Sequence, residues 1–178
     1  MKNALIFIVA IVIAGSAGFA LQRYLSNKQQ SSNSVIGQPR PEFAAEGLDG
    51  KIHNIKEWDN KVILLNFWAT WCPPCKREIP GFIELQNEYG DQNFQVIGIA
   101  IDEMGAVREF AAKIGINYPI IAVQSEGVEL SRRYGNNVGA LPYSVFIDKN
   151  GTIRSTILGE LSKKRAINTL KQLGIDTK

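Results

Sequence analysis

The chain has 178 residues, 45% of them hydrophobic, and a formal net charge of +3. That size fits one domain with an extra segment. The charge is mild, and the densest basic clusters are Arg132-Arg133 and Lys163-Lys164-Arg165, so no nucleic-acid partner is expected. The two cysteines stand in a single Cys-x-x-Cys, which excludes a multi-bridge disulfide framework.

In chain order, Ala4 to Leu21 is a charge-free run, long enough for one membrane helix. An uncleaved anchor over residues 1–25 is expected. A cleaved signal is the alternative, because Gly18-Phe19-Ala20 offers small residues at the required spacing. Residues 26–34 carry no large apolar side chain and read as a tether. The folded domain is expected over residues 35–178. Leu48-Asp49-Gly50-Lys51 reads as the turn of a hairpin between short strands near Phe43 and Ile52. Val62 to Phe67 reads as a buried strand, followed by Cys72-Pro73-Pro74-Cys75 and a helical pattern to about Tyr89. Phe94 to Ile101 reads as a second buried strand, ended by Asp102. Ala106 to Ile114 follows helical spacing and closes at Gly115. Tyr118 to Val123 is a third strand, and about Val128 to Tyr134 a short helix. Ser144 to Ile147 and Thr152 to Leu158 flank the hairpin turn Asp148-Lys149-Asn150-Gly151. Leu161 to Leu173 is the last amphipathic helix, stopped by Gly174. Strand–helix alternation ending in a hairpin and helix gives an α/β fold, a central mixed sheet with helices on both faces.

A strand that delivers Cys-x-x-Cys to a helix start is a redox arrangement. The helix N-terminus favours thiolate at Cys72, the nucleophile, and Cys75 one turn on can resolve a mixed disulfide. A structural zinc site needs four ligands, whereas the chain offers two Cys and the distant His53. A c-type haem attachment needs His after the second Cys, where Lys76 stands. No metal is expected, and no cofactor beyond the Cys72–Cys75 pair. Pro73 and Pro74 lack N–H groups. If Cys72 is the N-cap, Cys75 N–H is the donor that remains, which leaves the thiol pKa moderately depressed and the couple reducing. The same prolines also suit plain helix initiation. Pro80 is expected to kink the helix.

Phe67-Trp68-Ala69-x-Trp71-Cys72-x-Pro74-Cys75 resembles the thioredoxin superfamily, and the chain from about Val35 to Gly174 is similar to its membrane-anchored TlpA/ResA/CcmG branch. The resemblance implies a thioredoxin-like fold with the N-terminal β-hairpin and an inserted αβ unit over about Asp102 to Val123. It implies that Leu141-Pro142 is the cis-proline loop facing the Cys pair. Trp71, Pro73, Pro74, Leu141 and Pro142 then form the substrate surface, with Trp68 packed beneath. Asn66 stands where thioredoxin carries a buried Asp, and Glu78 matches the branch pattern Cys-x-x-Cys-x-x-Glu-x-Pro. Glu78 is therefore a candidate to take the Cys75 proton; a solvated helix carboxylate is the alternative. Tyr143 fits core or rim equally, and His53 a surface position.

The expected function is a monomeric, single-pass thiol–disulfide oxidoreductase of a bacterial inner membrane. It reduces protein disulfides on the periplasmic or extracytoplasmic side, fed by a membrane thiol donor of the DsbD/CcdA type, in cytochrome c maturation. The alternatives are a disulfide-introducing oxidase, and a non-enzymatic thiol chaperone or metal carrier. A peroxiredoxin shares the fold, but its Thr-x-x-Cys signature would need Thr where Ala69 stands.

Overall fold

The computed structural model describes residues 15, 16, 18, 19, 21–23 and 34–177. The chain divides into two units, Met1–Ser34 and Val35–Lys178. In the first, residues 15, 16, 18, 19 and 21–23 are helical and exposed, Phe19 and Leu21 among them. Among the described residues no helix is long and apolar enough to cross a membrane. The anchor expected over residues 1–25 and the tether expected at 26–34 otherwise lie outside the described residues.

The second unit is built on a five-stranded sheet. Its strands are β3 (Val62–Trp68), β4 (Phe94–Ile101), β5 (Ile120–Val123), β6 (Tyr143–Ile147) and β7 (Ile153–Leu158), in the order β5-β4-β3-β6-β7. β3 runs parallel to β4 and β4 to β5, while β6 and β7 are antiparallel to their neighbours. Every residue of β3 is buried, as a central strand covered on both faces requires. Successive side chains point to opposite faces. Leu64 and Trp68 face helices α1 (Pro73–Tyr89), α2 (Met104–Ile114) and α4 (Lys163–Gln172) through Ile79, Phe82, Val107 and Leu170. Ile63, Leu65 and Phe67 face α3 (Ser125–Arg133), Tyr134 and the 3-10 turn Ile55–Trp58.

The hairpin pairs β1 (Ala44–Glu46) with β2 (Ile52–Asn54), Ala45 opposite His53. Its tip covers the β5 edge of the main sheet: Gly47 bridges Ile121, and Leu48 N–H donates to Ile120 O at 3.0 Å. At the opposite edge, residues 37–40 pair with the β6–β7 turn and the start of β7, through Gly37 N–H to Ile153 O and Arg40 N–H to Gly151 O, both 2.8 Å. The N-terminal part of the domain thus covers part of each edge, which shortens the open ladders that would template association.

Most boundaries fall within a residue or two of the sequence reading, and three starts differ for a physical reason. β5 begins at Ile120 rather than Tyr118, because Pro119 has no N–H for a ladder. α2 and α3 begin at Met104 and Ser125, two or three residues earlier than apolar spacing indicates, since Met104-Gly105 and Ser125-Glu126-Gly127 carry no apolar period. α1 continues through Pro80 to Tyr89.

Candidate functional site

The site lies where β3 ends. Cys72 is the N-cap of α1, with extended backbone (φ −95°, ψ 106°), and its sulfur accepts the Cys75 N–H at 3.3 Å. Pro73 and Pro74 occupy the first two helical positions, so neither can donate to it. Cys72 and Cys75 are joined in a disulfide. Cys72 is 4% exposed and Cys75 is fully enclosed, so the first sulfur is the one a partner can reach.

Trp71 projects beside the pair at 65% exposure, whereas Trp68 is fully buried with its ring centroid 5.5 Å from that of Phe110. Gly98 on β4 lies against this indole: a Cβ there would stand 3.0 Å from Trp68 Nε1. Lys76 Nζ lies 5.9 Å from the centre of the Phe110 ring.

The Leu141–Pro142 bond is cis and leads directly into β6, whose first residue, Tyr143, is paired with Phe67 near the end of β3. The same sheet register therefore brings the cis-proline loop to the end of the sheet from which the cysteines emerge. Pro142 is buried, and Leu141 is half-buried against the cluster that holds both cysteines. Tyr143 belongs to the core, its hydroxyl donating to Tyr134 O at 3.0 Å. His53 sits on β2, between Asp49 (3.0 Å) and Glu57 (2.9 Å) and stacked on Trp58.

Glu78 is 4% exposed. Its Oε1 accepts from Asn66 Nδ2 at 2.8 Å, and its Oε2 accepts the Leu161 N–H at 2.7 Å. Burial pushes its pKa up to about 7; the two hydrogen bonds oppose the shift, and the Glu160 charge adds to it. Asn66 Nδ2 also donates to Ser144 Oγ at 3.0 Å, so one amide links β3, β6 and the helix carboxyl.

Sequence reasoning did not find the contact that holds the approach to Cys72. Asp102 Oδ2 accepts both the Thr70 N–H (2.9 Å) and the Thr70 hydroxyl (2.5 Å), while Oδ1 accepts the Glu103 N–H (2.8 Å). Burial works to raise the Asp102 pKa, but these three donors hold it below the usual carboxylate value. An Asp at the end of a strand reads only as a stop signal. The detectable clue was the parallel register, in which Thr70 falls opposite Asp102 two residues beyond the last pair, Trp68 with Ala100. Among the described residues no cluster of His, Cys, Asp and Glu could hold a metal ion.

Residues 36–156 match the AhpC/TSA family. The thiol-disulfide oxidoreductase ResA of Bacillus thuringiensis (strain Al Hakam) is 34% identical over 176 residues, 97% of this chain and 98% of that protein. Among solved structures, a thiol:disulfide interchange protein of the thioredoxin family from Chlorobium tepidum TLS superposes with a TM-score of 0.70 at 30% identity, over 76% of this chain and 94% of that one. A thiol:disulfide interchange protein DsbE from Chlorobium tepidum, so described with reservation, gives 0.68 at 27% identity, over 78% and 94%.

Proposed function

Since the chain belongs to the AhpC/TSA family and is a thiol-disulfide oxidoreductase of the ResA type, we propose that it reduces disulfides of extracytoplasmic proteins from a membrane anchor at residues 1–25. The observation that carries the chemistry is the Cys72–Cys75 bond at the N-terminus of α1, with Cys72 slightly exposed and Cys75 fully enclosed.

The dithiol form does the work. Cys72 thiolate attacks a substrate disulfide, forms a mixed disulfide and releases one substrate thiolate, which takes a proton. Cys75 loses its proton to the Glu78 carboxylate and attacks Cys72 Sγ. The second substrate thiolate leaves, and the Cys72–Cys75 disulfide forms. Two electrons pass to the substrate for one bond broken there and one formed here. A membrane thiol donor of the DsbD/CcdA type then returns two electrons. Glu78 suits its part because a carboxyl with pKa about 7 can exchange a proton at neutral pH. Leu141 and Pro142 present an edge to the substrate backbone beside Trp71, Pro73 and Pro74. The redox group is the Cys pair itself, the working unit is a monomer, and cytochrome c maturation is the pathway. Ala69, buried and without a hydroxyl, supports thiol exchange over the peroxiredoxin alternative.

The test is trapping. Cys75→Ser, reduced and offered extracytoplasmic proteins, should accumulate mixed disulfides through Cys72, and the wild type should reduce insulin. A reduction potential as oxidising as that of DsbA, about −120 mV, would favour the oxidase instead.

A further inference from the structure

Cys72 is reached through a three-residue approach, Ala69-Thr70-Trp71, that lies beyond the end of the β3–β4 ladder. Its own backbone bond is Cys72 N–H to Ala69 O at 3.2 Å. Both donors of Thr70 end on one oxygen of Asp102, and the other oxygen is held by Glu103 N–H, so the carboxylate cannot swing away without breaking all three. An O–H···O contact of 2.5 Å to a carboxylate is at the strong end of charge-assisted bonds.

We propose that Asp102 is a positioning residue for the nucleophile: through Thr70 it keeps Cys72 seated as the N-cap of α1 once the Cys72–Cys75 bond is cleaved. In the oxidised form the disulfide itself fixes Cys72. In the dithiol form the cap rests on the single Cys75 N–H donor, because Pro73 and Pro74 supply none. A residue two positions from the sulfur, tied by two bonds to a strand end, then decides whether the thiolate meets that donor. The proposal rests on the thiol–disulfide reading of the same site.

Asp102 acts on Cys72 in two opposed ways, and this makes the role testable. Its negative charge disfavours a nearby thiolate; its tether favours one by holding the cap closed. The Cys75 thiol, Lys76, Arg77 and Glu78 on α1, Glu103 after β4, Tyr118 before β5 and Glu160 before α4 are the other charged or titratable groups around the site, and they are unchanged in the variants. Asp102→Asn removes the charge and keeps a carbonyl oxygen for Thr70. Asp102→Ala removes both.

The experiment follows alkylation of Cys72 against pH in the reduced protein, with insulin reduction measured alongside. For Asp102→Ala the midpoint should rise by about half a pH unit and the reduction rate fall about tenfold, as expected when a nucleophile loses its seat. Asp102→Asn should restore the rate and bring the midpoint to the wild-type value or below it. If Asp102→Ala matches the wild type, or if both variants lower the midpoint together, the tether has no such role. Should Asp102→Ala fail to fold, Thr70→Val removes the hydroxyl bond alone; a shift in the same direction supports the proposal, and an unchanged profile overturns it. Lack of insulin reduction by the wild type would count instead against the reductase reading, since the alkylation profiles do not depend on it.

Discussion

Glu78 Oε2 accepts the backbone N–H of Leu161 at 2.7 Å, joining the active-site helix to the segment that enters α4. A carboxyl one turn from the resolving cysteine is thus also a structural joint. Its protonation state is coupled to the stability of the fold as well as to the chemistry.

The coupling has a definite sign. The Glu78 pKa is raised from 4.5 to about 7, so the folded protein holds this proton more tightly than the unfolded chain. The stabilisation is complete below 4.5 and is lost as pH rises through about 7. Urea unfolding of wild type and Glu78→Gln should therefore diverge: the wild type loses about 3 kcal/mol relative to the variant between pH 4.5 and 7.5. In kinetics, Glu78→Gln should slow resolution of the mixed disulfide or shift its pH dependence, and change the first attack by Cys72 less. Parallel stability curves and parallel rate profiles would make Glu78 an ordinary carboxylate.

Asn66→Asp tests the same cluster from the strand side. The amide donates to both Glu78 and Ser144, and an aspartate can do neither when ionised. It would also set a second carboxyl against the one now 2.8 Å away, and two such groups resist joint ionisation. The variant should lose about 3 kcal/mol at pH 8 and clearly less at pH 5, where the pair can share protons. Equal losses at both pH values would mean that the missing amide donor matters and the charge does not.

How much of this was legible in the sequence depends on range. The all-apolar flanks of Asn66 in β3 and the Cys72-Pro73-Pro74-Cys75 spacing are local signals, and both elements lie where they were read. The starts of α2 and α3 were not, because Gly105, Ser125 and Glu126 carry no apolar period. The partners that define the site are separated by 32 residues for Thr70 and Asp102, 78 for Asn66 and Ser144, and 83 for Glu78 and Leu161. No spacing rule spans such gaps. The parallel register of β3 and β4 had to be known before Asp102 could be seen as more than a strand end.

Gly98→Ala should disturb the floor beneath the cysteines. The added methyl would stand 3.0 Å from Trp68 Nε1 and 3.4 Å from Tyr118, and the indole is fully buried against Phe110. A cost of about 1–3 kcal/mol is expected for such overpacking, with a change in tryptophan emission. Wild-type stability and an unchanged spectrum would mean that the ring yields freely and that the glycine is not needed for the fit.

The last prediction concerns an ion pair with unequal partners. Arg40 lies in the N-terminal segment that covers β7, its side chain 5% exposed, and it pairs with Asp59, which is 55% exposed. Arg40 Nε and Nη1 are buried and have no hydrogen-bond partner. Removing Asp59 leaves a buried guanidinium without its counter-charge, so Asp59→Ala should cost about 2–3 kcal/mol. Removing Arg40 leaves an aspartate that water can solvate, and Met fills much of the same space without a charge to desolvate. Arg40→Met should therefore stay within about 1 kcal/mol of wild type. Chemical denaturation of the two variants in the same buffer decides the matter. If Arg40→Met is the more damaging change, the guanidinium is held by the packing of its stem over Gly151 rather than by charge.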